Sequence, residues 1–418
     1  MPKKFLYFIA LLSFLSAFIC NAGISQAEEG AQQTSIIDIL GLESERLERY
    51  KTAAERIKSH MVDPAPGEYP VKFFSQTEMP TILSAHTQNS VFGSNFPHWI
   101  DNRYVVYNAI TKNYRISPRA IIILDTQTGT FRKLDEGPIG KTNSRLCYYP
   151  ATRRFTYLRS VPKSVNKYGH IIYYGHFNEN AEFVEEFNSK THPETKGLYL
   201  TNCEPSYGIR PPHPAFHPDD GMMTIKHTSV HHKLPNSTLT VRSKYQPGKF
   251  TWQKPDGTKG EIDINWRGTH PPYPTFDRNS DRYFLATHAS EEDDSRQVLW
   301  FDRQFNLVDQ YTLPPMNMEN GAHTMLRHPV SNGFVIPCSY AGLKRDEPDV
   351  LDLWGNQQKS YLCLVTREQK IIRVLAGAVS DLAVSANGCR IFGLWKPYML
   401  ADISTGKNFI AEICPAEE

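Results

Sequence analysis

Two hydrophobic periods divide the chain. Over residues 35–60, Ile36, Leu40, Leu47, Tyr50, Ala54 and Ile57 recur at spacings of three, four or seven. That spacing gathers them on one side of a helix, and the Glu45/Arg49 pair, four apart, supports its solvent side. Asp63-Pro64-Ala65-Pro66-Gly67 then breaks the pattern, because proline lacks the amide donor a helix requires. The expectation is a short N-terminal helix packed on the outside of whatever follows.

From residue 69 onward the period is that of strands, with short apolar or aromatic runs separated by Asp, Asn, Gly and Pro. Aligned, the runs form six units, each a short strand, a turn and a second strand rich in aromatic and β-branched residues. They begin at Phe96, Leu146, His213, Tyr273, His323 and Leu382. Anchored on Trp99, Tyr148, Phe216, Phe276, Leu326 and Val384, they stand 49, 68, 60, 50 and 58 residues apart. A repeat of that length suits four-stranded blades. A second strand pair lies behind the hairpins at 120–125 with 131–134, 298–302 with 307–313, 361–366 with 371–375, and 399–403 with 409–413. Gln127-Thr128-Gly129 and Ser404-Thr405-Gly406 supply hairpin turns. The pattern predicts an all-β fold, a single β-propeller of about six four-stranded blades. Seven blades is the alternative, since 69–93 and 188–209 have room for more strands.

The N-terminus adds a compartment. Lys3 and Lys4 precede an uncharged apolar run from Phe5 to Ile19, and Ser25-Gln26-Ala27 has the small-x-small pattern of a cleavage site. The run is shorter than the ~20 residues that span a bilayer. The expected layout is a signal peptide over 1–27, a helical segment over 28–68 and the propeller over 69–418, in a periplasmic or secreted protein with no membrane span after cleavage. A net charge of +2 with interspersed signs gives no reason to expect a nucleic-acid partner. The mature part holds six cysteines, Cys147, Cys203, Cys338, Cys363, Cys389 and Cys414. Export permits disulfides among them, in any of 15 connectivities, and no CxxC pattern points to haem or a zinc ribbon.

Phe216 followed by His217-Pro218-Asp219-Asp220-Gly221, and Ser385-Ala386-Asn387-Gly388 ahead of a strand, resemble the WD40-like repeat of TolB-type propellers. The likeness covers most of residues 94–414. Oligogalacturonate lyases belong to the same broad structural group, so the resemblance implies the fold and, by analogy only, an activity.

Blade geometry gathers the residues before each first strand and after each second strand around one mouth of a central channel. The first set comprises Ser94, Asn95, Asn143, Arg145, Arg210, His213, Arg267, His270, Asn320, His323, Ser380 and Asp381. The second comprises Asn108, Arg159, His227, His288, Ser339, Tyr340 and Trp395. His213, His270 and His323 are candidate ligands of one divalent metal ion, since imidazoles from separate strands commonly ligate such ions. The competing reading has them bonding blade carbonyls. Arg145, Arg159, Arg210 and Arg267, with Trp395, would bind an anionic small molecule or acidic saccharide, because guanidinium forks match carboxylate oxygens. Salt bridges to nearby acids are the bland account of any single arginine.

Two functions follow. As a metal-assisted polysaccharide or oligosaccharide lyase acting on uronate, the protein would neutralise the carboxylate with the metal or an arginine. His227, His288 and Tyr340 would then serve as base and acid. No carboxylate pair can be placed at the mouth for a glycosidase. Alternatively the same mouth holds a protein partner or a small anion without chemistry, as in a TolB-type binding or assembly propeller.

Overall fold

The computed structural model describes residues 57, 59–74, 79–82, 97–110, 119–137, 146–150, 153–165, 170–193, 215–217, 221–228, 245–253, 259–267, 275–277, 279–289, 295–302, 304, 306–315, 326, 328–338, 361–397 and 406–414. The chain divides into two units, Met1–Tyr50 and Lys51–Glu418, and every described residue belongs to the second. The described elements are strands, arranged in six sheets.

Three strands, β1 (Met61–Val62), β2 (Val71–Phe74) and β3 (Thr81–Ile82), precede the repeats. Sheet I contains β3, β4 (His98–Trp99), β5 (Tyr104–Ile110), β6 (Arg119–Asp125) and β7 (Phe131–Gly137). Sheet II is β8 (Leu146–Tyr149), β9 (Arg154–Ser160), β10 (His170–Phe177) and β11 (Phe183–Asn188). Sheet III is β12 (Ala215–His217), β13 (Gly221–Thr228), β14 (Tyr245–Gln253) and β15 (Lys259–Arg267). Sheet IV is β16 (Thr275–Asp277), β17 (Arg282–His288), β18 (Arg296–Phe301) and β19 (Leu307–Leu313). Sheet V is β20 (His328–Val330), β21 (Gly333–Cys338), β22 (Tyr361–Thr366) and β23 (Ile371–Ala376), with β1 parallel on its outer edge. Sheet VI is β24 (Ala378–Val384), β25 (Arg390–Lys396) and β26 (Lys407–Glu412), with β2 antiparallel on its outer edge.

Each repeat hairpin read from the sequence is the first strand pair of one sheet, joining Trp99 to Val105, Tyr148 to Phe155, Phe216 to Met222, Phe276 to Tyr283 and Val384 to Ile391. The fifth anchor is displaced. Pro329 pairs with Phe334, and Leu326 lies ahead of the strand, where its buried side chain joins the core. A second correction concerns the last sheet. Residues 409–413 were expected to pair with 399–403, but β26 bonds β25 on one side and β2 on the other. The outer place is taken by β2, which comes from ahead of the repeats and pairs the backbone groups along that edge. Met61–Val62, expected within the helical segment, is a strand. Of the helix expected over 35–60, the described residues are Ile57 and Ser59, both helical, and His60, which is in a turn and donates its amide to Ile57 O at 3.0 Å. Ile57 is buried against Leu326, Phe334 and Ile371.

The cores lie between sheets. Ile121 and Ile123 of sheet I meet Tyr148 and Phe155 of sheet II. Phe284 and Trp300 of sheet IV meet Phe334 and Ile336 of sheet V. Val335 and Leu364 of sheet V meet Val384 and Ile391 of sheet VI. Phe392 and Leu394 of sheet VI return to Trp99 and Tyr107 of sheet I. Alternate residues of one strand thus serve different cores, which is why β21 and β25 read as nearly unbroken apolar runs.

The junction of sheets VI and I also has a polar hub. Buried Asn408 accepts the Ile82 amide at 2.9 Å and donates to the Pro80 carbonyl at 2.9 Å. Tyr107 donates to the same carbonyl at 2.9 Å, and the Trp99 indole donates to the Ala383 carbonyl at 3.0 Å. A disulfide joins Cys389 to Cys414, and Cys363 is also disulfide-bonded.

Candidate functional site

The turns of the first hairpins mark one end of the sheets. Arg153 of sheet II faces Asp101 of sheet I at 3.6 Å. The Asn387 amide of sheet VI donates to Asn102 Oδ1 of sheet I at 3.0 Å, and Ser331 of sheet V donates its amide to Gly388 O at 3.5 Å. Asn279, in the first turn of sheet IV, donates from Nδ2 to Val384 O at 3.2 Å and Ser385 O at 3.3 Å. That bond passes over sheet V to reach sheet VI. The inner strands must therefore converge at this end closely enough for one amide to span them.

Asp277 shapes the same turn. Its carboxylate accepts the Ser280 amide at 3.1 Å, the Ser280 hydroxyl at 2.5 Å and the Asn279 amide at 3.3 Å. Burial pushes its pKa above the usual carboxylate range, and these hydrogen bonds with the Arg282 charge only partly oppose that.

A second strand runs away from its turn, so its last residues stand at the opposite end. Arg159, His227, His288 and Trp395 all occupy that end of β9, β13, β17 and β25. His227 and His288 have equivalent register, each five positions after the residue paired with its anchor phenylalanine. Arg267 ends β15, the outer strand of sheet III, and β15 packs on β17 of sheet IV. His227, Arg267 and His288 are placed by backbone alone. Arg145, Arg210, His213, His270, His323 and Tyr340 lie outside the described residues.

Two predicted ligand-binding side chains are already engaged. Arg159 Nε lies 3.4 Å from Asp135 Oδ1 on the outer strand of sheet I. Burial opposes its charge, yet Asp135 and a hydrogen bond to Tyr173 outweigh that and hold its pKa above the usual arginine value. The bland reading fits Arg159. Trp395 donates from its indole to the Ala376 carbonyl at 2.7 Å and meets the Phe73 ring at 5.2 Å, nearly edge-on at 66°. One edge of the indole is fixed by backbone.

Sequence reasoning missed Arg296, the cross-strand neighbour of His288. It is 2% exposed, flanked by buried Thr287 and Ser295. A guanidinium at that depth is stable only when paired, and Arg296 is engaged. Its one sequence signal is the acidic run Glu291-Glu292-Asp293-Asp294 just before it. Asp381, expected at the mouth, lies in a bulge of β24 at φ 51°, 5% exposed, and accepts the Ser380 hydroxyl at 2.7 Å. Among the described residues no group of three His, Cys, Asp or Glu is arranged to hold a metal.

No protein-family model and no curated protein matches the chain. Solved structures similar to it include the β-propeller domain of the Trilobed protease from Pyrococcus furiosus. That match has 10% identity, covers 72% of this chain and 78% of that one, and has a TM-score of 0.26. Oligogalacturonate lyase in complex with manganese matches at 9% identity over 75% and 74% of the two chains, TM-score 0.25. TolB from Acinetobacter baumannii matches at 12% over 77% and 54%, TM-score 0.20. At these values the likeness concerns fold alone and says nothing of activity.

Proposed function

We propose that this chain is an exported propeller of six four-stranded blades that binds an acidic saccharide where its second strands end. The observation that carries this reading is the repetition of His227 and His288 at one register on consecutive sheets, with Arg267 ending the strand packed against β17. Imidazole and guanidinium donors at one end suit a carboxylate-bearing ligand. The convergence of inner strands around Asn279 favours entry from the opposite end. His213, His270 and His323 are proposed to hold a divalent ion at that mouth, which elemental analysis of the purified protein tests.

Titration calorimetry with trigalacturonate tests the binding, and cellotriose serves as the neutral control. We expect trigalacturonate to bind, binding to weaken with salt as charge pairing is screened, and Arg267→Ala or His288→Ala to lower affinity about tenfold or more, one charge-assisted hydrogen bond's worth. Equal affinity for both sugars, or no effect of either substitution, overturns the reading. Unsaturated product identifies a lyase, and recovery of intact sugar a binding module. Export is checked separately, by an intact mass starting at Glu28.

A further inference from the structure

Along the seam between sheets V and VI, three side chains form a row running outward from the second strand. Trp395 lies on β25. Lys407 is its direct cross-strand partner on β26 and is exposed. Phe73 on the outer strand β2 is 40% exposed and reaches back to the indole at 5.2 Å. Cross-strand partners share one side of a sheet, so an aromatic, an ammonium and a second aromatic stand side by side at the end where the proposed mouth lies.

The fold fixes the orientation of the central ring. Gly377 joins β23 to β24 at φ 121°, and a Cβ there would sit 2.0 Å from Trp395 Nε1. Only glycine leaves room for the indole to lie against the chain and donate to Ala376. With its N–H committed to backbone, the ring offers π surface rather than a polar handle, and Phe73 stands against it nearly edge-on at 66° as a second ring set at an angle.

We propose that this row is an accessory subsite for a uronate residue of the saccharide bound at the mouth, and it rests on that reading. A flat indole held in place suits the C–H face of a pyranose better than the branched side chain of a peptide, and the angled Phe73 ring can close on the sugar's edge. The Lys407 ammonium supplies a point charge for the uronate carboxylate. Fixing the ring before binding lowers the ordering cost of association.

Calorimetry with trigalacturonate and cellotriose on Phe73→Ala and Lys407→Gln tests it. Thermal melts of both variants, and of Trp395→Phe, which keeps a ring but loses the N–H, monitor the fold. We expect Phe73→Ala and Lys407→Gln each to weaken trigalacturonate binding about fivefold, near the worth of one net contact, with unshifted melts. Lys407→Gln should leave any cellotriose binding untouched. If both variants bind like wild type while Arg267→Ala does not, the subsite is wrong and the mouth stands. If Lys407→Gln weakens both sugars equally, the uronate assignment is wrong. If wild type binds neither sugar, both fall together.

Discussion

A single amide, that of Asn408, satisfies the Ile82 N–H and the Pro80 carbonyl inside the junction of sheets VI and I. Asn408→Leu leaves the Ile82 N–H buried without its partner, while Tyr107 still donates to the Pro80 carbonyl. We expect a loss of about 1–3 kcal/mol in urea unfolding, against about 1 kcal/mol for Tyr107→Phe, which leaves Asn408 on the Pro80 carbonyl. Two carboxylates titrate in opposite senses. The Arg103 hydrogen bond holds the Asp125 pKa below the usual range, so its contribution is present above the unfolded value of ~3.9 and lost as pH falls through the folded one. Asp277 is raised by burial, so its contribution is greatest below ~3.9 and declines as pH rises through its folded value. Unfolding at a series of pH values should therefore show Asp125→Asn losing its deficit relative to wild type in acid. Asp277→Asn should gain on wild type as pH rises.

At the scale of elements, the hairpins were legible because turn chemistry and strand pattern agree locally. His217-Pro218-Asp219-Asp220-Gly221 between Phe216 and Met222 needs no distant partner to be read. β2 was not legible as the outer strand of sheet VI, because Val71–Phe74 pairs with residues more than three hundred positions away and nothing local selects them. The candidate site was legible to the same extent. Register brought His227 and His288 into equivalence, but Asp135 opposite Arg159 belongs to another sheet, and no spacing rule reaches it. The bulge in β24 was equally hidden. It lays Leu382 over Gly393, where an added Cβ would lie 2.7 Å from Leu382 Cδ2 and 3.0 Å from the Phe409 ring. Gly393→Ala should therefore cost about 1–3 kcal/mol by overpacking, measured by thermal unfolding.

For the molecule as a whole, a strand from ahead of the repeats and the last described strand of the second unit pair with each other. β2 pairs with β26 in register from Val71 opposite Ala411 to Phe74 opposite Asn408. Cys389–Cys414 ties the residues after β26 to the first turn of sheet VI, 25 positions back. Restricting the unfolded chain by a loop of that length is worth about 3 kcal/mol. The Cys389→Ser, Cys414→Ser pair should lose about that much in urea, with amide exchange accelerating first across β25, β26 and β2. The hydrogen bond from Ile82 to Asn408 spans 326 residues, and this sets a schedule for folding. Loop closure across such a distance is entropically costly and slow. A chain emerging from its N-terminus makes β2 early and must hold it without a partner until β26, the last of the described strands, is made. Any chain cut short before residue 407 would keep an open edge and an unfilled hub in place of the final sheet. A product truncated there would present β2 as a strand it cannot pair, an exposed edge prone to aggregation.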